Sequence, residues 1–240
     1  MLTRFSFIVV VVLLPMFAFA KNQGQYSIIK KYDSETSINY DGLPYNPKLW
    51  YVSARADLSL LSWKNEYTVI DSNITGKDKY DWKPVYGADI AIGRKLNYLW
   101  RADLEFGYMG NYSESETEFY ENTSKIEHTS FDLTVFYATL NAYYTFDSGI
   151  YFGLGAGAAF VKTALDYSLA PGNVFKNNIS PIGAGMLGLS YRLRDNLDLD
   201  LRYRFAALSG DTLYMPDYGF KMKIGLITDN SISVGVRYAF

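Results

Sequence analysis

The chain contains no cysteine and only one histidine, His128. The first absence excludes a disulfide framework, and the second leaves too few imidazoles for a histidine-based metal centre. Beyond residue 20, no run approaches the roughly 18 apolar residues of a transmembrane helix. Neither sign of charge dominates: 23 Lys and Arg stand against 25 Asp and Glu, a formal net charge of −2. That balance offers no basic footprint for nucleic acid. Nothing in the sequence implies a cofactor.

What is present begins at the N-terminus. Arg4 is the lone charge before a nearly unbroken apolar stretch from Phe5 to Phe19. Ala18-Phe19-Ala20 and then Lys21 follow, an A-x-A pattern that predicts cleavage between Ala20 and Lys21. The apolar run is short for an uncleaved anchor, which needs about 20 residues. Residues 1–20 are therefore read as a secretory signal peptide, 21–48 as a polar periplasmic segment, and 49–240 as the folded domain. An exported domain without disulfides needs another closure, and a hydrogen-bonded barrel supplies one.

Aromatic residues are plentiful, with 22 Tyr, 15 Phe and 4 Trp, while the mean hydropathy is near zero. Period-2 alternation accounts for both. It predicts strands over Leu49–Leu60, Val85–Arg94, Tyr98–Tyr108, Asp132–Phe146, Ile150–Val161, Ile182–Leu193, Leu197–Phe205 and Ser231–Phe240. Trp100, Ala102, Leu104, Phe106 and Tyr108, for example, alternate with Arg101, Asp103, Glu105 and Gly107. The early half of the fourth strand is apolar on both faces, which leaves its register open.

Connection lengths alternate as well. Leu61–Pro84, Met109–Phe131, Lys162–Pro181 and Ala206–Asn230 are long, and the other links are a few residues each. A β-sandwich has no reason to sort its connections this way. The expected fold is all-β: a closed antiparallel up-and-down transmembrane β-barrel of about eight strands, with long extracellular loops and short periplasmic turns. Phe220, Met222, Ile224 and Leu226 also alternate. They read as a hairpin above the membrane rather than as part of a ten-strand barrel, because Ser209–Gly219 contains Pro216 and makes a poor crossing strand.

The inward faces carry Arg55, Arg101, Arg192, Arg202, Arg204 and Arg237 together with Asp57, Asp89, Asp103, Glu105, Asp198 and Asp200. A basic residue facing lipid at mid-bilayer costs about 2–4 kcal/mol. Eight strands enclose an interior just wide enough for side chains to fill. These residues are thus read as a charge network plugging the lumen, in preference to an ion path. Trp50, Trp100, Tyr144, Tyr151, Tyr191, Tyr203 and Tyr238 lie near strand ends and read as interfacial girdles. The acidic run of Glu114, Glu116, Glu118, Glu121 and Glu127 reads as solvated rather than as a calcium site.

Three segments carry a family resemblance. Ser190–Phe205 and Tyr151–Ala158 are similar to the opacity-type, porin-family small outer-membrane β-barrel domains. Val236-Arg237-Tyr238-Ala239-Phe240 resembles the terminal segment read by the barrel assembly machinery, with Tyr238 and Phe240 as its aromatics. The resemblance covers most of Leu49–Phe240 and implies a location in the bacterial outer membrane, among lipid and lipopolysaccharide. Relatives include adhesins, serum-resistance factors and structural surface antigens, so it fixes no single activity. His128 with Ser130 resembles part of the lipid A deacylase site, but an acid to orient the imidazole is missing. The chain is therefore not read as an enzyme. The long loops hold Trp63, Tyr67, Tyr80, Trp82, Tyr112, Phe119, Tyr120, Tyr167, Phe175, Tyr214 and Tyr218, residue types suited to contact surfaces. The favoured reading is loop-mediated adhesion to host surface or matrix proteins on a closed scaffold. A purely structural barrel and a narrow passive porin are the alternatives.

Overall fold

The computed structural model describes residues 49–69, 74–97, 99–120, 125–167, 174–215 and 220–240. The expected signal peptide, its cleavage pair Ala20 and Lys21, and the polar segment 21–48 lie outside the described residues. The elements, all strands, run β1 (Trp50–Val69), β2 (Ile74–Lys95), β3 (Trp100–Tyr120), β4 (Lys125–Thr145), β5 (Ile150–Tyr167), β6 (Val174–Arg194), β7 (Leu197–Leu208), β8 (Thr212–Met215), β9 (Phe220–Ile224) and β10 (Ile227–Ala239).

Each of β1 to β7 pairs antiparallel with its neighbour in sequence. β10 joins β7 on one side and β1 on the other, from Tyr51 opposite Ala239 to Ser62 opposite Thr228. Eight strands thereby close the wall, and no edge is left at membrane depth, where an unpaired backbone group would cost several kcal/mol. β8 and β9 form a hairpin. β9 pairs with β1 beyond the point where β10 leaves it, from Asn65 opposite Ile224 to Val69 opposite Phe220. This is the hairpin above the membrane, and it is not a ninth and tenth crossing strand.

The strands are far longer than their alternation suggests. β1 to β4 have 20, 22, 21 and 21 residues, whereas about 9–11 suffice to cross a bilayer. The segments read as long loops are largely paired strand, standing on the order of 30 Å beyond the membrane at about 3.3 Å per residue. The reason lies in the solvent on each side. At membrane depth the wall is apolar outside, with Leu104, Leu140, Leu154 and Val234 exposed to lipid. Above it the outside is water, and the pattern inverts. On β4, Phe131, Leu133 and Val135 point inward and are buried, while Asp132 and Thr134 face out. The doubtful register of that segment was this inversion.

Two bulges mark the transition, one between Tyr80 and Lys83 on β2, opposite Leu61–Trp63, and one between Tyr108 and Asn111 on β3. Gly110 sits in the second with φ of 109°, a conformation costly for any residue with a Cβ. Pairing of β2 with β3 ends at Ala88 and Tyr108. Pairing of β6 with β7 ends at Ile182 and Leu208, next to Pro181, which has no N–H to donate. The wall thus divides above the membrane into two four-stranded blades, β8-β9-β1-β2 and β3-β4-β5-β6. They share one apolar core: Leu61, Trp63, Met222 and Ile224 from the first meet Met109, Tyr112, Leu133 and Val161 from the second. Trp63 packs edge-on against Tyr112, ring centroids 4.6 Å apart.

At membrane depth the inner wall uses another device. Tyr51, Tyr137, Tyr143 and Tyr151 stand in register opposite Gly93, Gly107, Gly153 and Gly188 on the adjoining strand. Each ring lies across its glycine, so an added Cβ would come within 2.2–2.4 Å of ring atoms. Gly188→Ala is therefore expected to displace Tyr151 and cost about 1–3 kcal/mol, the usual penalty of overpacking. Gly183, where an added Cβ meets nothing within 4 Å, provides the matched control. Urea unfolding of the two variants in lipid vesicles checks this, and equal midpoints would remove the steric argument.

Candidate functional site

The inward positions at membrane depth converge on Glu105 of β3. Its carboxylate receives Arg55 Nη2 at 2.7 Å, Arg202 Nη1 at 2.6 Å and the Tyr137 hydroxyl at 2.9 Å. Arg204 Nη1 stands 3.4 Å away. Each arginine then reaches a second acid: Arg55 and Arg202 both contact Asp89 at 2.7 Å, and Arg204 contacts Asp229 at 3.0 Å. Arg55 also approaches Asp200 at 3.5 Å, and Arg202 approaches Asp57 at 3.9 Å. These side chains are essentially without solvent contact, Arg202 and Asp200 at 0 %. Burial of so much charge is tolerable because Glu105, Asp89 and Asp229 each have an arginine within 3.0 Å. Asp57 is the exception, with Arg202 3.9 Å away and no hydrogen bond to either carboxylate oxygen among the described residues.

Towards the periplasm the chemistry changes. Asp103 accepts hydrogen bonds from the Tyr51 hydroxyl at 3.0 Å and the Asn141 amide at 2.9 Å. Arg101 sits in the angle of the edge-to-face Tyr143–Tyr151 pair, 4.3 Å from each centroid, a double cation–π contact on the inner wall. At the mouth, Asp198 takes Arg192 Nε at 2.7 Å and Arg237 Nη2 at 3.4 Å. Towards the cell exterior the shared apolar core sits directly above the ion network. The lumen thus holds three stacked layers: aromatic and charged, charged, then apolar.

Among the sequence-predicted site residues, Arg55, Asp57, Asp89, Arg101, Asp103, Glu105, Asp198, Asp200, Arg202, Arg204 and Arg237 are buried on the inner face. Arg192 departs from the group: its side chain is 42 % exposed at the periplasmic rim. Asp229 falls within the predicted Ala206–Asn230 connection, yet it belongs to β10 and pairs with Arg204. Extending the alternation of Ser231 and Ser233 back by one step reaches it. The alternation turns Tyr51, Asn141 and Tyr143 inward, but their hydroxyl and amide partners depend on which strands are neighbours.

Two aromatic readings are corrected. Tyr151 does not belong to an interfacial girdle; it points inward and is 0 % exposed. Trp63 and Tyr112 are not exposed contact residues either, each being 2 % exposed within the apolar core. The periplasmic girdle is carried by Trp100, Tyr144, Phe146 and Phe152, whose rings form a continuous chain with centroids 5.1–5.5 Å apart along it, and by Trp50 beneath Arg94. The side chains of Tyr67, Tyr80, Trp82, Phe119, Tyr120, Tyr167, Phe175, Tyr214 and Tyr218 lie outside the described ones. His128 stands on β4 opposite Thr117, and its side chain likewise lies outside them. Tyr238 and Phe240 face outward at the periplasmic end, where the Phe240 N–H donates to the Trp50 carbonyl at 2.9 Å.

A closed lipid-facing barrel with a charged interior defines a class, the integral β-barrels of bacterial outer membranes. The model of the outer membrane protein β-barrel domain family matches residues 45–240, and the chain belongs to that family. Among solved structures it is similar to Neisserial surface protein A, at 19% identity over 80% of this chain and 97% of that one, with a TM-score of 0.45. It is also similar to the attachment invasion locus protein Ail of Yersinia pestis, at 12% identity over 80% and 99% of the two chains, with a TM-score of 0.45. OprG of Pseudomonas aeruginosa is matched at 13% identity over 80% and 97%, with a TM-score of 0.46. No curated protein sequence matches the chain. The protein resides in the bacterial outer membrane, surrounded by lipid and lipopolysaccharide.

Proposed function

We propose that this protein is a surface-interaction module, an adhesin in the broad sense, in which a plugged barrel holds β-blades out from the cell. The observation that carries the reading is the division of each long strand. Its lower half faces lipid and a filled lumen, so neither side is free for a partner. Its upper half presents polar side chains to water, among them Lys64, Glu66, Lys77, Asn111 and Ser113, on a rigid paired scaffold. Recognition concentrates on elements held by such a scaffold. The partner class that suits a surface beyond the lipopolysaccharide headgroups is a host surface or matrix protein.

The test is to shorten the blades one hairpin at a time. For β3 and β4, residues 116–129 are removed and Ser115 is joined to Ser130, its register partner, through an Asn-Gly turn. The barrel is expected to stay folded, with normal heat-modifiable migration on a gel, because the closure entropy of a connection changes slowly with its length. Adhesion of expressing cells to immobilised matrix protein is expected to fall for at least one of the shortened hairpins. Full adhesion by every folded variant, or none by the parent, would remove the adhesion reading and leave the structural-barrel and narrow-porin ones.

A further inference from the structure

The wall has a notch where two strands hand over to each other. β10 leaves β1 after Thr228 opposite Ser62, and β9 takes its place only at Ile224 opposite Asn65. Gly225 and Leu226 bridge the step, held by the Gly225 N–H on the Lys64 carbonyl at 2.8 Å and the Thr228 hydroxyl on the Ser62 carbonyl at 3.2 Å. The step leaves a recess of about 440 Å³ lined by Lys64, Glu66, Lys223 and Leu226, among others.

Its level and its charge point to an occupant. Below it the outer face of the wall is lipid-exposed: Val52 and Leu58 on β1, Val234 and Val236 on β10. Leu226 continues that surface to the recess and is 61 % exposed. Lys64 is the first outward charge on β1 above this belt. Glu66 is bridged by Lys77 at 2.9 Å and faces Lys223 across the β1–β9 ladder, while neither Lys64 nor Lys223 comes within 4 Å of a carboxylate among the described residues. The recess and its rim therefore set three ammonium groups, Lys64, Lys77 and Lys223, against the single carboxylate of Glu66, above an apolar floor and just beyond the lipid-facing belt.

From this geometry we infer that the notch binds a phosphorylated glycolipid of the outer leaflet, of the lipid A type. Its phosphate sits between Lys64 and Lys223, and an acyl chain lies down over Leu226 towards Leu58. The site is independent of the adhesion reading, since it faces sideways into the leaflet rather than outward.

Native mass spectrometry of the full-length refolded protein, titrated in detergent with diphosphoryl lipid A, tests this. One tightly retained lipid A is expected. Lys64→Gln and Lys223→Gln should each weaken retention about fivefold, the factor corresponding to about 1 kcal/mol for one basic residue near an anionic surface. Arginine at both positions should restore it. Lys162→Gln removes an outward lysine that rests between Phe136 and Phe160, away from the notch, and should change nothing. Equal retention of fully dephosphorylated lipid A or of phosphatidylglycerol would overturn the inference, as would an equal loss in Lys162→Gln. All variants alter exposed side chains and should keep heat-modifiable migration.

Discussion

Replacing Arg202 by alanine is expected to cost about 3–5 kcal/mol of barrel stability, the range for breaking a buried ion pair. Arg202 bridges Glu105 at 2.6 Å and Asp89 at 2.7 Å with no solvent contact. Its loss leaves two carboxylates in a low-dielectric interior with one counter-charge fewer and no water to replace it. Arg202→Lys should fall between, because an ammonium keeps the charge but lacks the planar fork that spans two acids. Adding Glu105→Gln to Arg202→Ala should recover part of the loss: Arg55 keeps Asp89 and Arg204 keeps Asp229. The coupling between the two sites should fall within about 0.5–3 kcal/mol, as for residues in one network. Urea titrations in lipid vesicles give these numbers. Additivity of the two substitutions would show that the contact carries no specific energy.

The second large effect is expected in the extracellular half. Trp63→Ala removes the ring that joins the two blades, 4.6 Å from Tyr112 and 5.7 Å from Phe131 between centroids. Large aromatic truncations in a core cost about 3–5 kcal/mol. Here the loss should be local. The blades share no backbone ladder across the β2–β3 seam above Ala88 and Tyr108; there the exposed Lys83 ammonium donates to the Ser113 carbonyl, so the blades can part at small cost while the barrel below stays paired. Hydrogen exchange should accelerate in the extracellular halves of β1 and β3 and remain slow around Arg202. Unchanged protection above the membrane would mean that the apolar core does not hold the blades together.

How much of this was legible in the sequence follows from where the solvent changes. Leu197 to Phe205 could be read directly, because lipid outside and charge inside give a clean alternation: Leu199, Leu201 and Tyr203 against Asp200, Arg202 and Arg204. The eight-strand closure and the inward direction of the arginines rest on that contrast. It disappears near the headgroups, where the apolar face passes from the outside of the wall to the inside. Around Phe131–Phe136 the two regimes overlap, the segment reads as apolar on both faces, and half of each strand is mistaken for loop. Trp63 and Tyr112 were misassigned for that reason: an aromatic in a loop is taken as exposed, whereas an aromatic on an inward strand position fills a core. The rings over Gly93, Gly107, Gly153 and Gly188 depend on cross-strand register. A single strand does not encode it.

The central claim is that the lumen is filled from the Arg101–tyrosine cluster to the apolar core and that the protein works through what stands above it. Planar-bilayer recording of the refolded protein tests this most directly. The account expects a baseline with no sustained conductance in 1 M KCl across the usual range of applied voltage (about ±100 mV, roughly 2.3 kcal/mol per elementary charge moved). The same silence is expected of a variant whose β3–β4 hairpin has been shortened, since the ion network lies below it. A steady, large conductance from the unmodified protein would contradict the account.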